Sequence, residues 1–235
     1  MSDVAVVTGA ARGIGAAIAQ RLAADGLAPL LVDLDPAVER AAAGLGGGAG
    51  AVVADITDPA GREAVRAAVG DRSLRALVNN AGITRDARIG TMDEAAFRAV
   101  IRVNLGGAYE LTRALLGAFA DGGAIVNMSS RAYLANIGQF NYSASKGGLV
   151  GLTRALALQL APRIRVNAVA PGLTASEMTK AMPDKVLDKL IASIPAERMA
   201  EPAEIAEVVC ALVAPGASYV TGQVVVACGG RSLAP

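Results

Sequence analysis

A tyrosine and a lysine four residues apart open the helical pattern 142-YSASKGGLVGLTRALALQLA-161. At 3.6 residues per turn, Tyr142 and Lys146 share one face, so an ammonium can sit close to a phenol. A phenol titrates near pH 10 and is a poor acid-base group at neutral pH, whereas a fixed cation favours the phenolate and lowers that value. The pair is a device for moving a proton. A surface tyrosine beside a solvated lysine is the plain alternative, and a short motif alone does not separate the two.

A second cluster suits a phosphate. The segment 8-TGAARGIG-15 lies between the apolar run 4-VAVV-7 and 16-AAIAQRLAADG-26, where Ile14, Ile18 and Leu22 recur at helical spacing and Gly26 supplies a stop. A glycine-rich turn between strand and helix sets backbone N–H groups and the positive helix end against a pyrophosphate, and Gly9, Gly13 and Gly15 are placed for that. The spacing is G-x-x-x-G-x-G, which a tight turn alone would also explain. Asp33 follows at the end of the second apolar run, about 20 residues on, where a carboxylate takes the ribose hydroxyls of an adenosine. The same carboxylate repels a 2′-phosphate and favours NAD(H). Arg12 in the glycine loop could meet that phosphate, which keeps NADP(H) open. Asp33 carries the greater weight, with Arg12 turned to solvent.

These residues need elements to hold them. After the first strand, turn and helix come 30-LLVD-33, a helical 36-PAVERAAAGL-45, a strand 51-AVVAD-55, and a helix from about Asp58-Pro59. The alternation continues with 76-ALVNN-80, a long helix from about Asp93 to Phe119, 124-AIVNMS-129, the tyrosine helix, 164-IRVNAVAP-171 and a last strand in 219-YVTGQVVVA-227. The strands are continuous apolar runs, as when helices cover both sheet faces. The pattern predicts an α/β fold: a Rossmann-type, doubly wound parallel sheet of about seven strands in a single domain, 1–235. Residues 173–202 break the alternation, are more polar and contain Pro183 and Pro195. Lying beyond a strand end, they are read as a substrate lid, with a plain surface helix pair as the alternative.

Composition removes other classes. Hydrophobic residues make up 53% of the 235, enough for a sizeable core. Lys+Arg 22 against Asp+Glu 21 leaves +1, with no basic run, so nucleic acid is not an expected partner. The chain has no histidine, and Cys210 and Cys228 lack metal-ligand spacing; no metal site and no Ser-His-Asp or Cys-His mechanism is expected. Both cysteines read as buried, reduced thiols. The first residues run straight into a strand pattern, and no apolar stretch approaches membrane-spanning length. A cytoplasmic protein without membrane association is the expectation.

Taken together, 8-TGAARGIG-15, 79-NNAG-82, Asn104, a serine ending the fifth strand, 142-YSASK-146 and 171-PG-172 resemble the short-chain dehydrogenase/reductases over essentially the whole chain. The resemblance implies a cofactor site in which Gly9, Arg12, Gly13, Ile14 and Gly15 meet the pyrophosphate side. Asp55 and Ile56 flank the adenine, and Asn80, Ala81 and Gly82 pack beside the ribose. Pro171 and Gly172 hold the nicotinamide, and Ser176 stands where the family usually has threonine. It also implies that Tyr142 exchanges a proton with the substrate oxygen, that the serine orients that oxygen, and that Lys146 holds the ribose and depresses the tyrosine pKa. Asn104 is implied to support a water relay to Lys146, a buried amide bonded to backbone being the alternative. Strand register favours Ser130 as the serine, because a loop absorbs a deletion more easily than a buried strand shifts register; Ser129 remains the alternative.

Around these, 79-NNAGITRDA-87, 138-GQFNY-142 and 219-YVTGQVVVACGG-230 resemble the 3-oxoacyl-thioester reductases of fatty-acid and polyhydroxyalkanoate metabolism, whose substrates ride on acyl carrier protein or CoA. The chain departs from them in 119-FADGG-123, where carrier-protein reductases commonly carry basic residues, and in Asp33, since they commonly use NADPH. An NAD-dependent secondary-alcohol, sugar or hydroxysteroid dehydrogenase is the second reading, and a non-catalytic dinucleotide-binding protein a third. Arg131 and Tyr133 are expected at the edge of the substrate pocket. The helix rich in Gly147, Gly148, Leu149, Val150, Leu152, Ala155 and Leu156 must bury more than one face, which suits a homotetramer, or a homodimer.

Overall fold

The run 4-VAVV-7 forms strand β1 (Val4–Thr8), buried along its whole length and bonded in parallel to β2 (Ala28–Asp33) and β4 (Leu74–Asn79). In the computed structural model, which describes residues 3–46, 48–176, 179 and 182–233, the sheet extends through β3 (Gly50–Val53) on one side. On the other it runs through β5 (Phe119–Met128), β6 (Ile164–Pro171) and β7 (Val224–Ala227). The order is β3-β2-β1-β4-β5-β6-β7, seven strands with every pair parallel. Strand order reverses between β1 and β4, and a crevice opens there beyond the strand ends.

Side-chain alternation along the strands feeds two cores. Ala5, Val7, Val78 and Val126 face Ile18 and Leu22 of α1 (Gly13–Ala24), Val38 of α2 (Ala37–Ala43), and Ile205 and Val209 of α8 (Pro202–Val213). Val4, Val6, Leu77 and Ile125 face Val65 of α3 (Pro59–Val69), Leu111 and Leu115 of α5 (Ala108–Leu115) and Leu156 of α6 (Phe140–Leu160). Fully burying one such side chain contributes about 1.5–3 kcal/mol, so both layers stabilise the sheet that carries the site. Asp58 starts α3 where the Asp-Pro pair predicted it, accepting the Ala60 N–H at 3.1 Å.

Two elements differ from expectation. The long helix is not uniform: α4 (Glu94–Ile101) passes through π-type turns over Arg102–Gly107 before α5, and Phe119 belongs to β5. Phe119 is buried and pairs with Leu74, so strand pairing overrides helical continuity. The last strand is only Val224–Ala227. Over the preceding residues two backbone bonds, Gly222 N–H to Val166 O (2.7 Å) and Ala168 N–H to Gln223 O (2.8 Å), are supplemented by side chains: Asn167 donates to Val220 O (2.8 Å) and accepts from Gln223 N–H (3.0 Å), and Thr221 Oγ1 accepts from Val166 N–H (3.1 Å).

The irregular segment contains α7 (Asp184–Ala192), and its two ends meet at a Thr174–Ala200 bridge. Residues 177–178 and 180–181 of it lie outside the described residues. Both cysteines are buried and unpaired.

Candidate active site

The glycine turn is built for close approach. Gly9 and Gly13 have φ of +65° and +59°, a region costly for other residues. A Cβ at Gly15 would collide with the Gly9 carbonyl oxygen, so this glycine lets α1 sit directly on the turn. Thr8 and Asn80 knit the turn to the end of β4. The Thr8 hydroxyl accepts from the N–H groups of Asn80 (3.0 Å) and Ala81 (2.9 Å), and the Asn80 amide donates to the carbonyls of Thr8 (2.9 Å) and Gly9 (3.0 Å).

A cavity of about 420 Å³ beside this turn is lined by Gly9, Asp33, Asp55, Ile56, Asn80, Ala81 and Gly82. The sequence expected these residues together, and the structure gathers them. Asp33 is held from both sides, accepting from Ala11 N–H (2.9 Å) and Asp35 N–H (3.0 Å). Asp55 accepts from the backbone and hydroxyl of Thr57 (2.8 and 2.7 Å), and Ile56 is buried beneath the cavity edge. Arg12 is 65% exposed, as expected of a residue turned to solvent, and also donates to Asp35 Oδ2 at 2.6 Å; Asp35 sits below the usual carboxylate range through the Ala37 N–H and that guanidinium.

Ile14 and Asn80 also border a second cavity of about 430 Å³, with Ser130, Tyr142, Lys146, Pro171, Gly172 and Ser176 on its walls. The two cavities share Asn80 in their walls. One is lined by a phosphate-sized glycine cradle and a fixed carboxylate, the other by a phenol, a hydroxyl and an ammonium, a set that fits a dinucleotide laid against them.

Ser129 and Ser130 take opposite directions. Ser129 is buried and donates to Lys146 O (2.9 Å). Ser130 Oγ accepts Ala132 N–H (3.1 Å) and hydrogen-bonds the Tyr142 side chain. Both serines follow β5 directly and line the cavity, but only the Ser130 hydroxyl is turned to Tyr142, the Ser129 hydroxyl being bonded to the α6 backbone.

Lys146 is buried, donates to Met128 O (2.6 Å), and lies 5.5 Å from the Tyr142 ring centre. Burial pushes its pKa down to about 8. The expected depression of the phenol is not a property of the protein alone. Burial raises Tyr142 above its ordinary value, the Ser130 hydrogen bond works against that rise, and Asp86 adds to it. Lys146 Nζ is directed to the Met128 carbonyl and makes no hydrogen bond to the phenol among the described residues.

Asn104 lies in the π-type turns and is almost fully buried. Its Oδ1 accepts Ile83 N–H (2.8 Å), and its Nδ2 donates to Ile83 O (3.0 Å) and Ser145 Oγ (3.0 Å). The geometry is that of the buried amide bonded to backbone, pinning the loop after β4 to α6 one residue before Lys146. Gly172 is pressed on the chain after β7, where an added Cβ would lie 2.7 Å from Cys228 Cα. Ser176 Oγ accepts Thr179 N–H (3.2 Å).

Sequence reasoning gave Thr8 no part and passed over Arg231, which lines the second cavity. Thr8 stood inside the glycine motif, directly after the strand, which is signal enough. Arg231 lies in a short tail without periodicity. Arg131 lines the same cavity, but Tyr133 is not among its lining residues. Among the described residues there is no cluster suited to a metal, and no helix is long and apolar enough to cross a membrane.

A family model described as "Enoyl-(Acyl carrier protein) reductase" matches residues 9–232. A (3R)-3-hydroxyacyl-CoA dehydrogenase of Mus musculus is 41% identical, with 97% of this chain and 96% of that protein covered. A 3-oxoacyl-[acyl-carrier-protein] reductase of Thermotoga maritima is 40% identical with the same coverage. A solved structure from Brucella melitensis, described as a short-chain dehydrogenase/reductase, glucose/ribitol dehydrogenase, superposes with a TM-score of 0.94 at 34% identity, covering 97% of this chain and 96% of that one. With the glycine cradle, the Ser130–Tyr142–Lys146 cluster and this likeness over nearly its full length, the chain belongs to the short-chain dehydrogenase/reductase family and is an NAD(P)-dependent oxidoreductase acting at CH–OH and C=O groups.

Proposed function

We propose that this enzyme reduces a 3-oxoacyl thioester, on CoA or acyl carrier protein, to the 3-hydroxyacyl thioester, with NADH preferred. The observation that carries the reading is the cavity in which Ser130, Tyr142 and Lys146 converge. The relatives whose names give 3-oxoacyl and 3-hydroxyacyl chemistry support the substrate class.

The cofactor would lie with its adenosine against Asp33, Asp55 and Ile56, its pyrophosphate on the glycine turn, and its nicotinamide near Ile14, Pro171, Gly172 and Ser176. When bound, it supplies the two-electron chemistry. The protein supplies the rest. Tyr142, kept protonated by burial, gives its proton to the carbonyl oxygen, and Ser130 donates a hydrogen bond to that oxygen where negative charge develops. Lys146 holds the ribose and returns a proton toward Tyr142, with Asn104 fixing the loop and helix on either side of it.

NADH preference rests on two carboxylates. Asp33 repels a 2′-phosphate, and Asp35 occupies the guanidinium that could have attracted one. A cytoplasmic homotetramer, or homodimer, completes the reading, with α6 in its interface. Initial rates with acetoacetyl-CoA test it. Turnover with the higher specificity constant for NADH is expected; preference for NADPH removes the cofactor assignment, and no turnover with either removes the thioester.

A further inference from the structure

Two arginines reach the cavity of Ser130, Tyr142 and Lys146 from different elements, and the reaction above uses neither. Arg131 opens the single turn Arg131–Leu134, which Ser130 caps through the Ala132 N–H (3.1 Å). Arg231 comes from the turn after β7. That turn is fixed by Arg231 N–H on Cys228 O (3.2 Å), by Ser232 N–H on Cys228 Sγ (3.3 Å), and by the packing of Cys228 on Gly172. Both guanidiniums are therefore delivered by backbone that the active site itself holds in place.

Neither is neutralised. Among the described residues no carboxylate lines this cavity, and neither side chain makes a hydrogen bond or ion pair. Met128, Leu173, Met182 and Leu190 share the lining with the uncharged polar Asn136, Gln139 and Thr179. Two half-buried cations in one pocket repel, and the Arg231 guanidinium is held below its usual range first by burial and then by Arg131. An anion between them would remove that cost and gain charge-assisted, bidentate hydrogen bonds. The nicotinamide end of the cofactor shares this cavity but carries no negative charge, and the pyrophosphate is assigned to the glycine turn, whose cavity neither arginine lines.

We infer that Arg131 and Arg231 form an anion subsite of the substrate pocket, holding a carboxylate or phosphate that the carbonyl substrate itself carries. The inference rests on reading this cavity as the carbonyl pocket. The anion has two possible sources, a carboxylate on the acyl chain or the phosphate of a pantetheine arm.

Calorimetric titration of the full chain distinguishes them. The probes are 3-oxoadipate 1-methyl ester, whose free carboxylate sits at the chain end, against its dimethyl ester, and 4′-phosphopantetheine against pantetheine, on the wild type, Arg131→Gln, Arg231→Gln and the double variant. At least one anion is expected to bind ten-fold or more tightly than its neutral counterpart, with the gap reduced in each single variant and gone in the double. The pair that shows the gap names the source. Absence of a gap in the wild type, or a gap that the double variant keeps, overturns the subsite. An Arg131→Lys/Arg231→Lys variant, which keeps both charges, should retain part of the gap and guards against misfolding as the cause. Failure to reduce acetoacetyl-CoA would overturn the substrate reading instead and leave the binding gap standing.

Discussion

Lys146 illustrates how a single side chain is kept at a thermodynamic cost. Its folded pKa of about 8 lies below its ordinary value of 10.5 because the ammonium is buried with one carbonyl for a partner. At neutral pH it is charged in both folded and unfolded states, and the folded state bears the desolvation, roughly 3 kcal/mol at about 1.4 kcal/mol per pKa unit. Between pH 8 and 10.5 the unfolded chain binds more protons than the folded one, so the penalty fades and this contribution to stability rises with pH. Lys146→Met should therefore unfold at higher denaturant than the wild type at pH 7, with the difference narrowing toward pH 10, while turnover is lost. A variant less stable at pH 7 would contradict the burial argument. Asp33 makes a separate prediction: Asp33→Asn should raise the NADPH-to-NADH ratio of specificity constants at least ten-fold, because the repelling charge goes, while one of the two acceptors that take the Ala11 and Asp35 N–H groups is lost with it. Steady-state kinetics with both cofactors checks it.

At the scale of elements, the turn between β1 and α1 depends on what glycine lacks. In Gly15→Ala the new methyl meets backbone, the Gly9 carbonyl, which cannot swing aside as a side chain can. The variant should lose about 1–3 kcal/mol of stability and lose the rise in melting temperature on adding NAD+, both read in one thermal-shift experiment. This turn was legible in the sequence because glycine spacing reports backbone conformation directly. So were β1, β2, β4, β5 and β6, whose apolar runs follow from burial on both faces. The π-type turns at Arg102–Gly107 and the short β7 were not. Propensity does not distinguish helix types, and the residues before Val224 have strand-like character but bond to β6 partly through the Asn167 and Thr221 side chains. The partners of Arg12 and Asn104, and the place of Arg231, depend on contacts across long sequence separations, to which no local pattern points.

For the whole molecule, the unfinished surface is on α6. Leu158 is 86% exposed, and an added Cβ at Gly147 or Gly151 would touch nothing within 4 Å. With the exposed Ala144 and Ala155 these residues run down one helix face at i, i+3 and i+4 spacing, a shape that admits a second helix closely. Sedimentation should give a dimer or tetramer at micromolar concentration, and Leu158→Arg should shift it toward monomer; a monomeric wild type would contradict the homotetramer reading. The account as a whole turns on the proton that Tyr142 holds over the sheet ends. The most direct test is NADH oxidation with acetoacetyl-CoA by the wild type and by Tyr142→Phe, with NADH affinity measured in both. Turnover by the wild type, a loss of roughly 10²–10⁴-fold in the variant and unchanged NADH affinity are predicted; a variant that still turns over at the wild-type rate would contradict the account.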